Sequence, residues 1–175
     1  YDATGGQGCR AVRRTTDLAL WRTLFDLPGA QFINLQYGQS ADDLALMRSW
    51  GYTIHDWEDA DALTDLEGLA AMICAMDLVI SVGNTTVHLA GGLGAPAWSL
   101  VAANPSWRWM DSGDRVPWYS SVRLFRQERG KQWREVFDRL HAELCQRIGC
   151  AAEVVPPRRE MAGISAAPTA HRPEH

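Results

Sequence analysis

The run Asp77-Leu-Val-Ile-Ser-Val-Gly-Asn-Thr-Thr-Val-His-Leu-Ala-Gly-Gly-Leu-Gly-Ala-Pro96 decides how this chain is read. Leu78 to Val82 is an unbroken apolar run, the pattern of a strand in a sheet covered on both faces. Gly83-Asn84 makes a sharp turn, and Thr85 to Leu93 has the length and spacing of a short helix that Gly94-Ala95-Pro96 brings to a stop. A strand that ends in small polar residues at a helix N-terminus offers free backbone N–H groups and the positive end of a helix dipole. Phosphate and other anions bind at such ends.

Upstream and downstream of this run, strands and helices alternate. Asp17 or Thr16 caps a helix through Leu18, Leu20, Trp21, Leu24 and Phe25, stopped by Pro28-Gly29. Gln31 to Gln36 reads as a strand, Ser40 to Trp50 as a helix ended by Gly51, and Tyr52 to His55 as a short strand. An acidic loop over 56–64 precedes a helix opened by Asp65 that carries Leu66, Leu69, Ala70, Ile73 and Met76. Cys74 lies inside that apolar pattern and is expected in the core. Ala97 to Val101 is a strand, 102–120 a long loop rich in Trp, Pro, Gly and Asp, Ser121 to Phe125 a further short strand, and Lys131 to Ile148 a closing amphipathic helix. This order predicts an α/β fold: a Rossmann-like parallel sheet flanked by helices, with ligands at the carboxyl ends of the strands. Residues 1–150 form the expected domain. The Pro-, Ala-, Arg- and Glu-rich stretch 151–175 has no periodicity and is expected to be disordered.

Composition narrows the function. The chain has 175 residues, is 46% hydrophobic and 22% charged, and carries a formal net charge of -4, which gives no electrostatic reason to expect nucleic acid. No apolar run approaches the roughly 18 residues of a membrane span, and no secretory signal is present, so a cytoplasmic setting is expected. The four cysteines show neither CxxC pairing nor metal-type spacing with histidine, and no metal or other cofactor is implied. Eight tryptophans are many for this length, and Trp107-Arg108-Trp109 and Pro117-Trp118-Tyr119 sit in polar company that suits stacking on sugars or bases as well as packing. The chain opens on Tyr1 and is expected to be a piece of a longer protein.

Several residues have two readings. Thr85 and Thr86 can supply hydroxyl and N–H groups to a diphosphate, or simply cap the helix. Asn84 serves turn chemistry equally well. His88 lies one turn into the helix, facing either a bound phosphate or a packing partner. Arg108, Arg123 and Arg126 are the remaining phosphate partners, since a guanidinium grips phosphate oxygens in two-pronged fashion; each also fits an ordinary ion pair. Gly91-Gly92-Leu93-Gly94 follows the helix start and so reads as close packing and a C-cap rather than a dinucleotide fingerprint. No Ser-His-Asp set, H-E-x-x-H motif or Walker loop occurs.

Several pieces, in order, resemble a known family. They are Phe32-Ile-Asn-Leu-Gln-Tyr-Gly38, Ile54-His-Asp-Trp57, Asp65-Leu-Glu-Gly-Leu-Ala70 and Met76-Asp-Leu-Val-Ile-Ser81. Asn84-Thr-Thr-Val-His-Leu-Ala-Gly91, Trp107-Arg-Trp109, Pro117-Trp-Tyr119 and Arg123-Leu-Phe-Arg-Gln127 complete the set. The stretch from about Phe32 to Trp133 is similar to the C-terminal domain of bacterial GT-B glycosyltransferases, of the heptosyltransferase-like kind that follows tetratricopeptide repeats. The resemblance implies a donor-binding half whose partner is a nucleotide-diphosphate sugar, held at Asn84, Thr85 and Thr86 with His88 beneath. A second, N-terminal domain in cis would bring a protein or glycan acceptor. Related sequences carry an acidic residue where Gly83 stands, so this chain departs from the pattern there. The resemblance implies that the piece alone has little or no turnover, and a non-catalytic scaffold module beside helical repeats is the alternative.

Overall fold

The computed structural model describes residues 16–36, 41–57 and 64–150. Three parallel strands, β3 (Val79–Val82), β4 (Ala97–Val101) and β5 (Val122–Arg126), lie side by side in that order. Successive side chains of a strand point to opposite faces, so the sheet has two apolar sides. Val79, Ala97, Val101, Val122 and Leu124 pack against Leu69 and Ile73 of α3 (Leu66–Ala75) and Val87 and Ala90 of α4 (Thr85–Leu93). Ile80, Val82, Trp98, Leu100 and Phe125 pack against Leu24 of α1 (Leu18–Phe25) and Val136, Phe137, Leu140 and Leu144 of α5 (Trp133–Ile148). The result is a helix–sheet–helix sandwich of Rossmann-like type. β4 is buried along its whole length because it has a neighbour on either side and helices above and below.

A second, smaller parallel pair joins β1 (Phe32–Ile33) to β2 (Ile54–His55), packed with Leu44 and Met47 of α2 (Ala41–Ser49). The strand expected over Gln31–Gln36 pairs as β structure only at Phe32 and Ile33. Its end is set by Asn34, whose side chain donates to Asp56 Oδ1 at 2.9 Å and accepts the Gln36 N–H at 3.0 Å, turning the backbone out of the ladder. Asp17 is the cap of α1 and Asp65 that of α3, each accepting a first-turn N–H.

Cys74 is exposed rather than in the core. Leu69 and Ile73 form the buried stripe of α3, and one further residue rotates the side chain about 100° away from it. The connection from β4 to β5 carries no α-helix. A single 3-10 turn, Trp107–Trp109, stands in it, and the loop buries Trp109 and Val116 in the core while most of its other residues are exposed. The Gly-rich opening and the tail from Ala151 lie outside the described residues, as does most of the acidic 56–64 loop.

Candidate functional site

β3 delivers the chain to the carboxyl edge of the sheet, and Gly83 turns it directly into α4. Asn84 is the N-cap: its side chain accepts the Val87 N–H at 3.3 Å. The cap is therefore asparagine, which frees both threonines from that role. Within the described residues, the N–H groups of Thr85 and Thr86, the first two of α4, meet no acceptor. Thr85 is exposed and Thr86 is 2% exposed, so Thr85 alone of the pair has its side chain open to solvent.

Over this helix lies an aromatic lattice from the β4–β5 loop. The His88 ring stacks on the Trp109 indole with centroids 4.9 Å apart and planes 24° from parallel. It meets Tyr119 nearly edge-on, and His88 Nδ1 shares a hydrogen bond with the Tyr119 hydroxyl at 3.1 Å. Two glycines make room. A Cβ on Gly83 would lie 2.5 Å from Trp109 Nε1, and one on Gly91 would lie 2.5 Å from the Tyr119 ring. The acidic side chain expected of relatives at position 83 thus has no space here: the Trp109 indole occupies it. Burial, followed by the nearby charge of Arg108, holds the His88 imidazole below its ordinary pKa, so the ring is neutral near pH 7.

Beyond His88 opens a cleft of about 280 Å³ lined by His88, Trp107, Arg108, Trp118 and Tyr119. Trp107 is 73% exposed, meets Trp118 edge-on at 6.0 Å and carries the Arg108 guanidinium over its ring at 4.9 Å. Arg108 makes no ion pair among the described residues.

The three arginines separate clearly. Arg108 stands at the cleft. Arg126 sits at the carboxyl end of β5 but is fully engaged as a staple, donating to the backbone carbonyls of Trp109, Met110, Ser112 and Gly113. It fixes the loop that holds Arg108, including Met110, whose φ of 56° is unusual for a residue with a side chain. Arg123 pairs with Trp98 near the amino end of the sheet, three residues or about 10 Å from Arg126 along the strand. Its guanidinium grips both Glu143 oxygens at 2.8 and 3.0 Å and meets Asp114 at 3.4 Å. Arg123 is therefore not brought to the Asn84 turn. It lines a larger hollow of about 420 Å³ with Arg115, Glu143 and Arg147, at the wrong end of the strands for a Rossmann-type ligand and with its charge already paired.

Of the residues singled out in the sequence, Asn84, Thr85, Thr86 and His88 follow one another along the start of α4 and Arg108 joins His88 at the cleft, whereas Arg123 lies at the other end of its strand. Trp109 and Tyr119 as partners of His88 were missed. Their signal was the pair of glycines at 83 and 91, each in a segment where any other small residue would have served the backbone equally well. No group of three or more His, Cys, Asp or Glu is placed to hold a metal ion among the described residues, and no helix there is long and apolar enough to cross a membrane.

Fold and site together define a Rossmann-like α/β domain in which a helix end with two uncommitted N–H groups leads into an aromatic cleft. The chain is 35% identical over 134 residues to Protein FlbA of Caulobacter vibrioides; the match takes in 76% of this chain and 22% of FlbA. The chain thus spans about a fifth of that relative's length. No family model and no solved structure matches it.

Proposed function

We propose that this chain is the donor-binding half of a glycosyltransferase that passes a sugar from a nucleotide-diphosphate sugar to a protein or glycan acceptor. The observation that carries the reading is the pair of uncommitted N–H groups of Thr85 and Thr86 at the carboxyl edge of a parallel sheet, on the same helix whose His88 lines the cleft with Arg108. A departing diphosphate develops negative charge, and fixed N–H dipoles, the α4 N-terminus and a guanidinium stabilise that charge without a metal. His88, kept neutral, contributes packing and a hydrogen-bonding edge rather than charge. The sequence resemblance to the C-terminal halves of GT-B enzymes supports the same assignment, with a second domain in cis supplying the acceptor. One observation favours a non-catalytic binding module instead: the Trp109 indole fills the space of the acidic side chain at position 83.

Calorimetric titration with UDP, GDP, ADP and CDP tests the reading. One nucleotide should bind selectively, and Thr85→Pro, which removes one of the two N–H groups at the first helical position where proline is tolerated, together with Arg108→Ala should weaken it at least about tenfold, equivalent to about 1.4 kcal/mol. A folded chain that binds none of the four refutes the donor-site assignment.

A further inference from the structure

The rim formed by Trp107 and Trp118 lies outside what a diphosphate needs, and it asks for an occupant of its own. Trp107 exposes 73% of its surface and Trp118 42%, on a loop that Arg126 holds through four backbone carbonyls. Those bonds tie the loop to β5 directly after Trp107, and Trp118 meets Trp107 edge-on. We infer that this cleft is a carbohydrate platform: a pyranose ring lies against Trp107 and Trp118, with its hydroxyls toward Arg108, His88 and Tyr119. The inference rests on the donor-site reading for its biological setting but stands on its own geometry.

Two observations favour a sugar over a flat base. A base is best held between ring faces, but here the aromatic pairs are crossed, at 71° for Trp107 and Trp118 and 64° for His88 and Tyr119. The walls therefore mix faces, edges and polar tips, which suits a puckered ring with C–H faces and a rim of hydroxyls. The second observation is reach. His88, at the inner wall of the cleft, is three residues past Thr85, about 4.5 Å along the helix. A sugar joined directly to a phosphate at the helix end arrives at that distance, whereas the base stands a whole ribose further off. The cleft, at about 280 Å³, falls just below the usual range for drug-sized ligands and suits one ring rather than an entire nucleotide-sugar.

The test is an indole N–H spectrum of the nitrogen-15-labelled chain, with the Trp107 and Trp118 signals identified by their loss in Trp107→Phe and Trp118→Phe. Methyl α-D-glucopyranoside and methyl N-acetyl-β-D-glucosaminide are titrated in one arm, uridine and guanosine in a second, and UDP, GDP, ADP and CDP in a third. A glycoside should shift both indole signals, and Trp107→Ala should weaken that response by about tenfold. A glycoside that still shifts the indoles in the presence of a nucleoside diphosphate assigns the acceptor sugar. UDP-glucose, titrated in a fourth arm, assigns the donor sugar if it shifts the indoles together with the backbone amides of Thr85 and Thr86. If neither glycoside moves the indoles, or if nucleosides move them more strongly than glycosides, the platform is refuted. If the glycosides move them while no nucleoside diphosphate disturbs Thr85 and Thr86, the platform stands and the donor-site reading falls.

Discussion

Gly91 and Gly92 are neighbours on α4, and replacing each by alanine should move stability in opposite directions. Neither has a positive φ, so each substitution gains helix propensity over glycine, about 0.5–1 kcal/mol. At Gly92 the new methyl meets nothing within 4 Å, and the gain is kept. At Gly91 it would lie 2.5, 2.7 and 2.9 Å from three carbons of the Tyr119 ring, a distance no real contact shows. That ring is not free to retreat, because it packs on the core beneath α4 and its hydroxyl is bound to His88 at 3.1 Å. Overpacking of this kind costs about 1–3 kcal/mol, which outweighs the propensity gain. The net expectation is about 1–2 kcal/mol of destabilisation for Gly91→Ala against about 0.5–1 kcal/mol of stabilisation for Gly92→Ala. For a domain of this size each kcal/mol moves the melting point by about 3–5 °C, so the two variants should melt on either side of the parent. Urea midpoints at constant m-value give the same comparison independently of heating. In a Tyr119→Ala background, Gly91→Ala should turn stabilising. Midpoints that shift the same way in both single variants, or a Gly91 penalty that survives removal of the ring, would refute the packing argument.

Four further outcomes are expected. Gly83→Ala should destabilise by about 1–3 kcal/mol through the Trp109 indole and become neutral or better in a Trp109→Leu background, a coupling read from a double-mutant cycle of urea melts. His88 has its pKa lowered on folding, by burial first and by Arg108 second, so the unfolded chain takes up the proton first as pH falls. Its contribution is full above the ordinary value near 6.5 and lost between there and the lower folded value; His88→Phe should flatten that part of a stability–pH curve. Arg126→Gln should cost about 2 kcal/mol and speed hydrogen exchange across 107–113 while leaving the amides of α5 protected, because several hydrogen bonds to loop carbonyls are lost at once. Ser99 is fully buried on β4 and its hydroxyl has no partner, so Ser99→Ala should leave the melting point unchanged or raise it; a loss above about 1 kcal/mol would show that the hydroxyl is bonded.

The layered architecture was legible because burial on two faces writes itself into composition. β3 and β4 are continuous apolar runs, and the amphipathic stripes of α1, α3 and α5 announce which helix faces turn inward. Caps were legible at Asp17 and Asp65 for the same local reason, a carboxylate within reach of a first-turn N–H. What could not be read was anything decided between distant segments. Asn84 and the threonines compete for one cap, and only the backbone angle at the turn awards it to Asn84. Arg108, Arg123 and Arg126 are equivalent as letters. Register separates them: β5 puts Arg123 beside Trp98 and within reach of Glu143, and Arg126 beside Val101 and beneath the 109–113 carbonyls. Cys74 was misplaced for a similar reason, since an apolar stretch of helix is legible as apolar before its buried stripe is known.

The glycine at position 83 is better understood as one half of a pair than as a missing acid. An acidic side chain at the end of β3 would set negative charge against the N-terminus of α4, and the dipole there would help to hold it. In this chain the same volume is taken by the Trp109 indole, whose own position is set by Arg126 on one side and His88 on the other. The exchange leaves two uncommitted N–H groups at the N-terminus of α4 with no carboxylate at position 83 to offset them. Such an edge attracts an anion more strongly than one that carries its own negative charge, and it gives up any proton transfer a carboxylate there would have performed. On the donor-site reading proposed above, a general base for transfer would then come from a different element.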